Sequence, residues 1–493
     1  MRRRLAWLAA WLLLAGCATR FENFPLASGR VNDERRAVDV SRPERPMILV
    51  AISGGGSRAA ALGWVVLREV QKYRYASDGQ PRSLIDDVGV ISSVSGGSVI
   101  AAHFALYGPE GLERFAPDFL APDNMRTIGL DTANPITWFR LITTGSPRTA
   151  LMEELFDRQL FKGKTFRDLN QPGKPYLILN ATDMGSGEVF AFTPRRFDDI
   201  CSDLDQEPIS VGVAASSAVP IVLSPIAFRN YSTSHCQGRP LPQWIATRLQ
   251  GRFAPYLNLE TVALARYAND LRRGPSAVRR IDYLYFLDGG LADNLGIHGL
   301  LETISSPYAA PIIAPREAGL VPATTILDAL NTGKIKKLAV LVINARADAA
   351  NTVSENASRP GINEMIETVV SIPIDSTTAS VNSQMDVLLS QLNAAAAGAA
   401  GNPQFAGLHV YSIPLAFEQL RTGDPRQHEL RLKANQIPTL WTITKDNLDV
   451  LEQAGTILLH QHPCFQRLLA DLGVHADFID LAFAKAGCRQ ATD

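Results

Sequence analysis

Apolar segments that are followed by turns or amphipathic stretches recur along the first two thirds of the chain. The predicted strands are residues 47–53, 88–94, 175–183, 281–288 and 336–345. Apolar positions at helical spacing predict a helix at about 58–73, and a second predicted helix follows Gly97 and ends at Gly108, with Pro109 beyond it. Strands that alternate with helices in this way predict an α/β fold with a mostly parallel central sheet, covered by helices on both faces.

The pattern also divides the chain into segments. The predicted segments are a tether at 17–45, a folded body at 46–350 with an insertion at about 228–280, and a mainly helical C-terminal extension at 351–493 that packs on the body. The tether is polar, rich in Arg and Pro and without periodicity, which is typical of a linker. Within the extension, the Ala- and Gly-rich stretch 391–403 predicts a mobile loop or a frayed helix end, and 438–487 is amphipathic at helical spacing.

The first residues, MRRRLAWLAAWLLLAGC, combine three arginines with an apolar run at 5–14. This run is too short to span a bilayer as a helix and predicts a secretory signal peptide at 1–16. The ending LAGC resembles the lipobox of bacterial lipoproteins, which implies lipidation of Cys17 as the first mature residue. The chain is then expected in the bacterial cell envelope, anchored in the outer membrane at its periplasmic face. The alternative is an ordinary signal peptide with a chance cysteine.

The charge and the cysteines narrow the class of protein further. The 493 residues carry 48 Lys and Arg against 49 Asp and Glu, a net charge of −1, so nothing indicates a nucleic-acid partner. Four cysteines remain besides Cys17, and an even number in an exported chain predicts two disulfides. The simplest pairing is Cys201–Cys236 and Cys464–Cys488, although other pairings stay open. No C-x2-C pair occurs, which argues against a zinc site.

A glycine-rich stretch, GGGSRA at 54–59, follows the first predicted strand and opens the first predicted helix. It satisfies the dinucleotide-binding pattern G-x-G-x-x-A. Its backbone N–H groups at a helix N-terminus would stabilise negative charge, either on a bound pyrophosphate or on an oxyanion that forms during acyl transfer. A tight turn without a ligand is the third alternative.

A serine occupies the next turn between a strand and a helix, in ISSVSGGSV at 91–99. The nucleophile-elbow pattern is G-x-S-x-G, and Ser95 fits its centre with Ser93 in place of the first glycine. Gly96 and Gly97 would let the backbone pass through the tight turn. The alternative is a serine that caps the following helix.

A serine nucleophile needs a base. His103 lies eight residues along the same predicted helix, a rise of about 12 Å, so it is expected to be a core residue and not the partner of Ser95. Asp288 ends a predicted strand and precedes two glycines, which places a carboxylate at a sheet edge where ligands bind. An Asp-Gly turn without a catalytic role is the alternative, and His298 stays open as a base.

The motifs ISGGGSRA, SVSGGS and LDGG occur in this order, each at the end of a predicted strand. Together they resemble the patatin-like phospholipase family over residues 47–300. The segments NATDMGSGEVFAF at 180–192 and AASSAVPIVLSPI at 214–226 resemble further parts of the family's pattern. Ser93 and Ala59 depart from it, each where the family has glycine. Both replacements are small, so they bear on the reaction rate and on the strain of the two turns more than on the family resemblance.

The resemblance implies a three-layer α/β/α fold and a Ser–Asp dyad, with Ser95 as nucleophile and Asp288 as base. It assigns the oxyanion hole to the amides of Gly54, Gly55, Gly56 and Ser57. Arg58 would lie near an anionic lipid headgroup or brace the loop, and neither a metal nor a cofactor is implied. The expected function is a lipid acyl hydrolase of the phospholipase A or lysophospholipase type, acting on phospholipids or other lipid esters. Acyl transfer by the same dyad and a non-catalytic lipid-binding lipoprotein are the alternatives.

Overall fold

The computed structural model describes residues 22–27, 30–32, 45–133, 149–220, 223–242, 245, 259–274, 277–305, 326–331, 333–347, 362–397, 407–488 and 490. The strands are β1 Pro46–Ile52, β2 Arg74–Ser77, β3 Gln80–Ser83, β4 Val88–Val94, β5 Tyr176–Asp183, β6 Val189–Ala191, β7 Ile226–Arg229, β8 Tyr283–Asp288, β9 Lys337–Asn344 and β10 His409–Ala416.

The helices are α1 Gly56–Gln71, α2 Gly96–Phe115, α3 Asn124–Ala133, α4 Thr149–Phe156, α5 Pro194–Asp199, α6 Ile209–Ser216, α7 Ser232–His235, α8 Leu259–Leu271, α9 Gly290–Asp293, α10 Ile297–Ser305, α11 Ile326–Asn331, α12 Ile362–Ala396, α13 Pro425–Gln436, α14 Lys445–His460, α15 Pro463–Asp471 and α16 Leu481–Gly487. Gly108 interrupts α2 with a positive φ of 66°, at the predicted end of that helix, and helical structure resumes beyond it.

The central sheet has the strand order β10-β9-β1-β4-β5-β8-β7, with β6 paired to β5. The first five strands of this order run parallel, whereas β8 is antiparallel to β5 and β7 is antiparallel to β8. The mostly parallel sheet predicted from the sequence is therefore confirmed, and its far edge makes it mixed. All five predicted strands are present, while the short strand β7 and the edge strand β10 were not predicted.

Apolar cores cover both faces of the sheet. Along β1, Ile48, Val50 and Ile52 pack into the cluster that includes α1 and α2, while Leu49 and Ala51 pack into the opposite cluster with α12. All seven residues of β1 are buried. A strand that is covered on both faces has no polar side to alternate with, which is why it reads as a continuous apolar run.

The predicted boundary at residue 350 does not separate two structural units. Strand β10 comes from the predicted C-terminal extension and pairs in parallel with β9, so the extension contributes to the central sheet itself. Helix α14 of the same extension packs on α1 through Gly455, which lies against Leu62 and Val65. Residues 391–396 belong to α12, so that part of the Ala-rich stretch is helical.

Part of the predicted tether lies on the folded body. Pro25 forms an antiparallel bridge with Ser202, the backbone N–H of Phe24 donates to Glu207 Oε1 at 3.0 Å, and Leu26 is buried. Cys17 lies outside the described residues. Within the segment that would follow a lipidated cysteine, residues 24–26 thus lie on the body.

Both predicted disulfides form, Cys201–Cys236 and Cys464–Cys488. The first joins the turn after α5 to the end of α7, and the second joins α15 to the end of α16. In the part of the chain that the structure describes, no helix combines the length and the apolar character needed to cross a bilayer.

Candidate active site

Ser95 sits at a strained turn between β4 and α2. Its backbone has φ 52° and ψ −125°, a conformation that residues other than glycine rarely adopt and that is concentrated at functional sites. Its side chain makes no capping hydrogen bond to α2. The hydroxyl is therefore not used as a helix cap, and the turn holds it in place at the sheet edge.

The turn requires glycine because two loops touch there. A methyl group on Gly96 would lie 1.9 Å from the carbonyl oxygen of Gly56, and one on Gly97 would lie 2.5 Å from the carbonyl oxygen of Ser53. The loop between β1 and α1 thus packs directly on the turn that carries Ser95. This contact favours the oxyanion interpretation of the glycine-rich loop over the dinucleotide interpretation, because it places the loop beside the serine.

A chain of buried hydroxyl groups supports the turn from below. The Ser93 hydroxyl donates to Ser98 Oγ at 3.2 Å, and Ser98 Oγ lies 2.9 Å from Ser216 Oγ. Ser216 in turn donates to the Asn180 carbonyl at 2.6 Å and accepts from the backbone N–H of Ser95 at 3.0 Å. Ser93 is accommodated because its hydroxyl has partners, and Ser216 is a positioning residue that the sequence analysis did not identify.

Asp288 ends β8 beside this turn. Asp288 Oδ1 accepts from the backbone N–H of Gly290 at 2.8 Å, and the Ser95 side chain lies close enough to lower the pKa of the carboxyl group. Burial is the larger influence and raises the pKa of Asp288 from 3.8 to about 6. The structure brings the two predicted residues together, although β8 runs opposite to the parallel strands and reaches the edge from the other direction.

The two histidines weighed as bases have partners of their own. His103 is buried in α2, its Nε2 lies 3.0 Å from the Gly111 carbonyl oxygen, and burial lowers its pKa to about 4. It is a core residue, as predicted. His298 is the second residue of α10. Its Nδ1 lies 3.2 Å from Asp293 Oδ2, and its backbone N–H donates to the same carboxylate. Asp293 therefore orients His298.

The four amides expected in the oxyanion hole are not equivalent. The backbone N–H of Gly54 donates to the Asn294 carbonyl at 3.0 Å, and that of Ser57 donates to the Leu440 carbonyl at 2.7 Å. For the amides of Gly55 and Gly56, the described residues provide no backbone or side-chain acceptor. These two groups are the orphan donors at the start of α1, so they are the amides left for an oxyanion.

The Arg58 side chain is held by carbonyl oxygens behind the glycine-rich loop. It is buried, its Nε donates to the Ala345 carbonyl at 2.7 Å, its Nη1 donates to the Ile437 carbonyl, and its Nη2 lies 3.3 Å from Thr439 Oγ1. Burial lowers the pKa of the guanidinium to about 10. These bonds are the ones expected of a residue that braces the loop, the second of the two predicted roles.

Asn294 is a further residue of the site that the sequence analysis missed. A methyl group on Gly54 would lie 2.6 Å from Asn294 Oδ1 and 3.3 Å from Ser95 Cβ. A methyl group on Gly290 would lie 2.9 Å from the same Oδ1 and 3.0 Å from Asp288 Oδ1. Its side-chain amide thus occupies the space between the glycine-rich loop and Asp288.

An α/β sheet with a strained serine at a strand-to-helix turn is typical of α/β hydrolytic enzymes. The model of the patatin-like phospholipase family matches residues 50–301, and the chain belongs to this family. Its fold is the patatin fold with additional C-terminal helices.

Among solved structures, human GIVD cytosolic phospholipase A2 is similar at 12% sequence identity and a TM-score of 0.34. The match covers 87% of this chain and 63% of that chain. No curated protein matches the chain.

Proposed function

We propose that the chain is a lipid acyl hydrolase of the phospholipase A or lysophospholipase type, with Ser95 as nucleophile and Asp288 as base. The observation that carries the proposal is the proximity of a serine at a strained turn to a buried carboxylate. A carboxylate with a pKa of about 6 is ionised at neutral pH and still basic enough to accept a proton in the transition state.

The reaction proceeds through an acyl-enzyme. Asp288 accepts the proton of the Ser95 hydroxyl as Oγ attacks the acyl carbonyl, and the oxyanion of the tetrahedral intermediate accepts hydrogen bonds from the amides of Gly55 and Gly56. The intermediate collapses, the ester bond breaks, and the proton on Asp288 passes to the leaving alcohol. Water then attacks the acyl-enzyme with Asp288 again as base, which releases the fatty acid and restores the serine.

Labelling with a fluorophosphonate probe tests this assignment, because the probe forms a covalent adduct with an activated serine. Ser95→Ala should abolish labelling and ester hydrolysis, and Asp288→Asn should lower both by about 10²- to 10⁴-fold. Ser234→Ala, at an exposed position in α7, is the matched control and should behave as wild type. If folded Ser95→Ala protein hydrolyses every ester as fast as the wild type, the assignment is wrong and the lipid-binding alternative gains support.

Product analysis separates hydrolysis from acyl transfer. Phosphatidylcholine labelled in one acyl chain is incubated with the enzyme in the presence of an unlabelled alcohol or lysophospholipid acceptor. We expect the label in free fatty acid, because water resolves the acyl-enzyme. Label that accumulates in an acylated acceptor would replace the hydrolase with an acyltransferase that uses the same dyad.

We further propose that Cys17 carries the lipid anchor and that the enzyme acts in the cell envelope. The two disulfides support an oxidising compartment. The intact mass of protein extracted from membranes should correspond to residues 17–493 with acyl groups. Cys17→Ser should release the protein from membranes or leave it unprocessed, and an unmodified soluble wild-type chain would refute the anchor.

A further inference from the structure

Residues 437–442, here called the bridging segment, connect α13 to α14 and lie outside the residues that the family model matches. Their side chains carry no charge. They are nevertheless in direct contact with the glycine-rich loop of the active site. The segment therefore belongs to the site by position, although nothing in the family pattern includes it.

The contact with the loop is made by main-chain groups. The Leu440 carbonyl accepts from the backbone N–H of Ser57 at 2.7 Å, and the Ile437 carbonyl accepts from Arg58. A methyl group on Gly56 would lie 2.4 Å from the Leu440 carbonyl oxygen, whereas one on Gly96 would lie 1.9 Å from the Gly56 carbonyl oxygen. Gly56 is thus enclosed between Leu440 on one side and the turn of Ser95 on the other.

The opposite side of the bridging segment is attached to the start of α3. The Asn124 side-chain amide donates to the Trp441 carbonyl at 3.0 Å, and the backbone N–H of Met125 donates to Thr442 Oγ1 at 2.9 Å. The Trp441 ring packs edge-on against Phe156, with ring centroids 5.3 Å apart. The bridging segment is consequently held in one position between α3 and the glycine-rich loop.

Two large apolar side chains remain exposed on these two elements. Leu440 is 43% exposed and Met125 is 41% exposed. The two hydrogen bonds above join Asn124 and Met125 to the two residues that follow Leu440. Exposed apolar surface beside a reaction centre has a use when the substrate is apolar. An ester bond that reaches Ser95 must leave its acyl chain against the surface next to the oxyanion loop.

We propose that Leu440 and Met125 form the acyl-chain contact of the active site, and that the C-terminal extension thereby sets the preference for long-chain lipid esters. This inference rests on the proposed function and names the part of the substrate that the extension recognises. The same segment holds the glycine-rich loop through the Leu440 carbonyl. Binding of the acyl chain and the geometry of the loop amides therefore depend on one element. The occupant is the acyl chain of the substrate.

Chain-length selectivity tests the proposal. The ratio of kcat/KM for decanoyl over butanoyl p-nitrophenyl esters is measured for the wild type, Leu440→Ser, Met125→Ser and the control Leu432→Ser. Leu432 is also an exposed leucine of the extension, on α13. We expect the ratio to fall about tenfold in each test variant, because one or two lost methylene contacts have effects of this size, and to stay unchanged in the control. An unchanged ratio in both test variants, or an equal fall in the control, overturns the proposal.

Binding without turnover separates this proposal from the proposed function. In the Ser95→Ala background, a short-chain diether phosphatidylcholine is titrated below its critical micelle concentration while the fluorescence of the protein is recorded. The Leu440→Ser exchange should raise the dissociation constant about tenfold, and Leu432→Ser should not. Dependence on Leu440, together with a wild-type protein that hydrolyses no ester, would refute the hydrolase and retain the chain contact. Binding that does not depend on Leu440 or Met125 refutes the chain contact even if hydrolysis is normal.

Discussion

Replacing the buried carboxylate of Asp288 with its neutral isostere should stabilise the protein at neutral pH. Burial raises the pKa of Asp288 from 3.8 to about 6, so the folded chain binds a proton more tightly there than the unfolded chain does. A shift of about two pKa units corresponds to about 3 kcal/mol. This is the free energy by which ionised Asp288 destabilises the fold relative to its protonated form, and Asp288→Asn removes it.

The sign follows from the two protonation equilibria. Below pH 3.8 the carboxyl group is protonated in the folded and the unfolded chain, and it adds no pH dependence. As the pH rises from about 4 to about 6, the unfolded chain releases the proton while the folded chain retains it, so wild-type stability falls by about 3 kcal/mol and then levels off. Asparagine does not titrate. The Oδ1 of asparagine can also accept the hydrogen bond that Gly290 donates to Asp288 Oδ1.

The assay is urea unfolding of the wild type and Asp288→Asn between pH 4 and pH 8, with the disulfides intact. All other titrating groups are shared, so their contributions cancel in the difference between the two proteins. We expect the free energy of unfolding of the variant to gain about 3 kcal/mol relative to the wild type between pH 4 and pH 7. Asp446→Asn, at an exposed carboxylate in the first turn of α14, is the control. A difference that is constant with pH, or that shifts against the variant as the pH rises, refutes the reasoning.

Three other outcomes are expected. The kcat/KM of the wild type should fall about tenfold per pH unit below pH 6, since protonated Asp288 cannot act as base; a flat profile down to pH 4 would contradict this role. Gly96→Ala should lose most activity and lower the Tm, because its methyl group would lie 1.9 Å from the backbone oxygen of Gly56. Gly423→Ala is the control, since its methyl group would have no heavy atom within 4 Å, and equal effects of the two exchanges would contradict the clash. Exchange of Cys464 and Cys488 for serine should cost about 3 kcal/mol of unfolding free energy for a loop of 24 residues, and unchanged urea midpoints would show that the bridge adds no stability.

The amino-acid sequence by itself determined the features that depend on local pattern. Continuous apolar runs identified the five strands that build most of the sheet, since a strand covered on both faces must be apolar throughout. Ser95 and Asp288 were identified because each directly follows or ends such a strand and is followed by glycines, which mark tight turns at a sheet edge. Both disulfides were paired correctly as the simplest arrangement of neighbouring cysteines.

The contacts of the residues around Ser95 were decided only by the tertiary structure. Arg58 was expected near a headgroup as one of two alternatives, but its guanidinium binds the carbonyl oxygens of Ala345 and Ile437. Likewise, the amides of Gly54 and Ser57 donate to Asn294 and Leu440 and are lost to the oxyanion hole. These partners come from chain segments hundreds of residues away, so no local pattern encodes the pairing.

The direction of β8 and the place of β10 in the sheet were also decided only by the tertiary structure. A strand's apolar pattern is the same whether its neighbour is parallel or antiparallel, so Asp288 could be assigned to the sheet edge while the approach of its strand could not. For β10, the side chains along the strand are only partly buried at an outer edge, and its pattern is interrupted by polar residues and a proline. Periodicity reports how a segment is covered, whereas strand order and hydrogen-bond partners depend on how distant segments pack together.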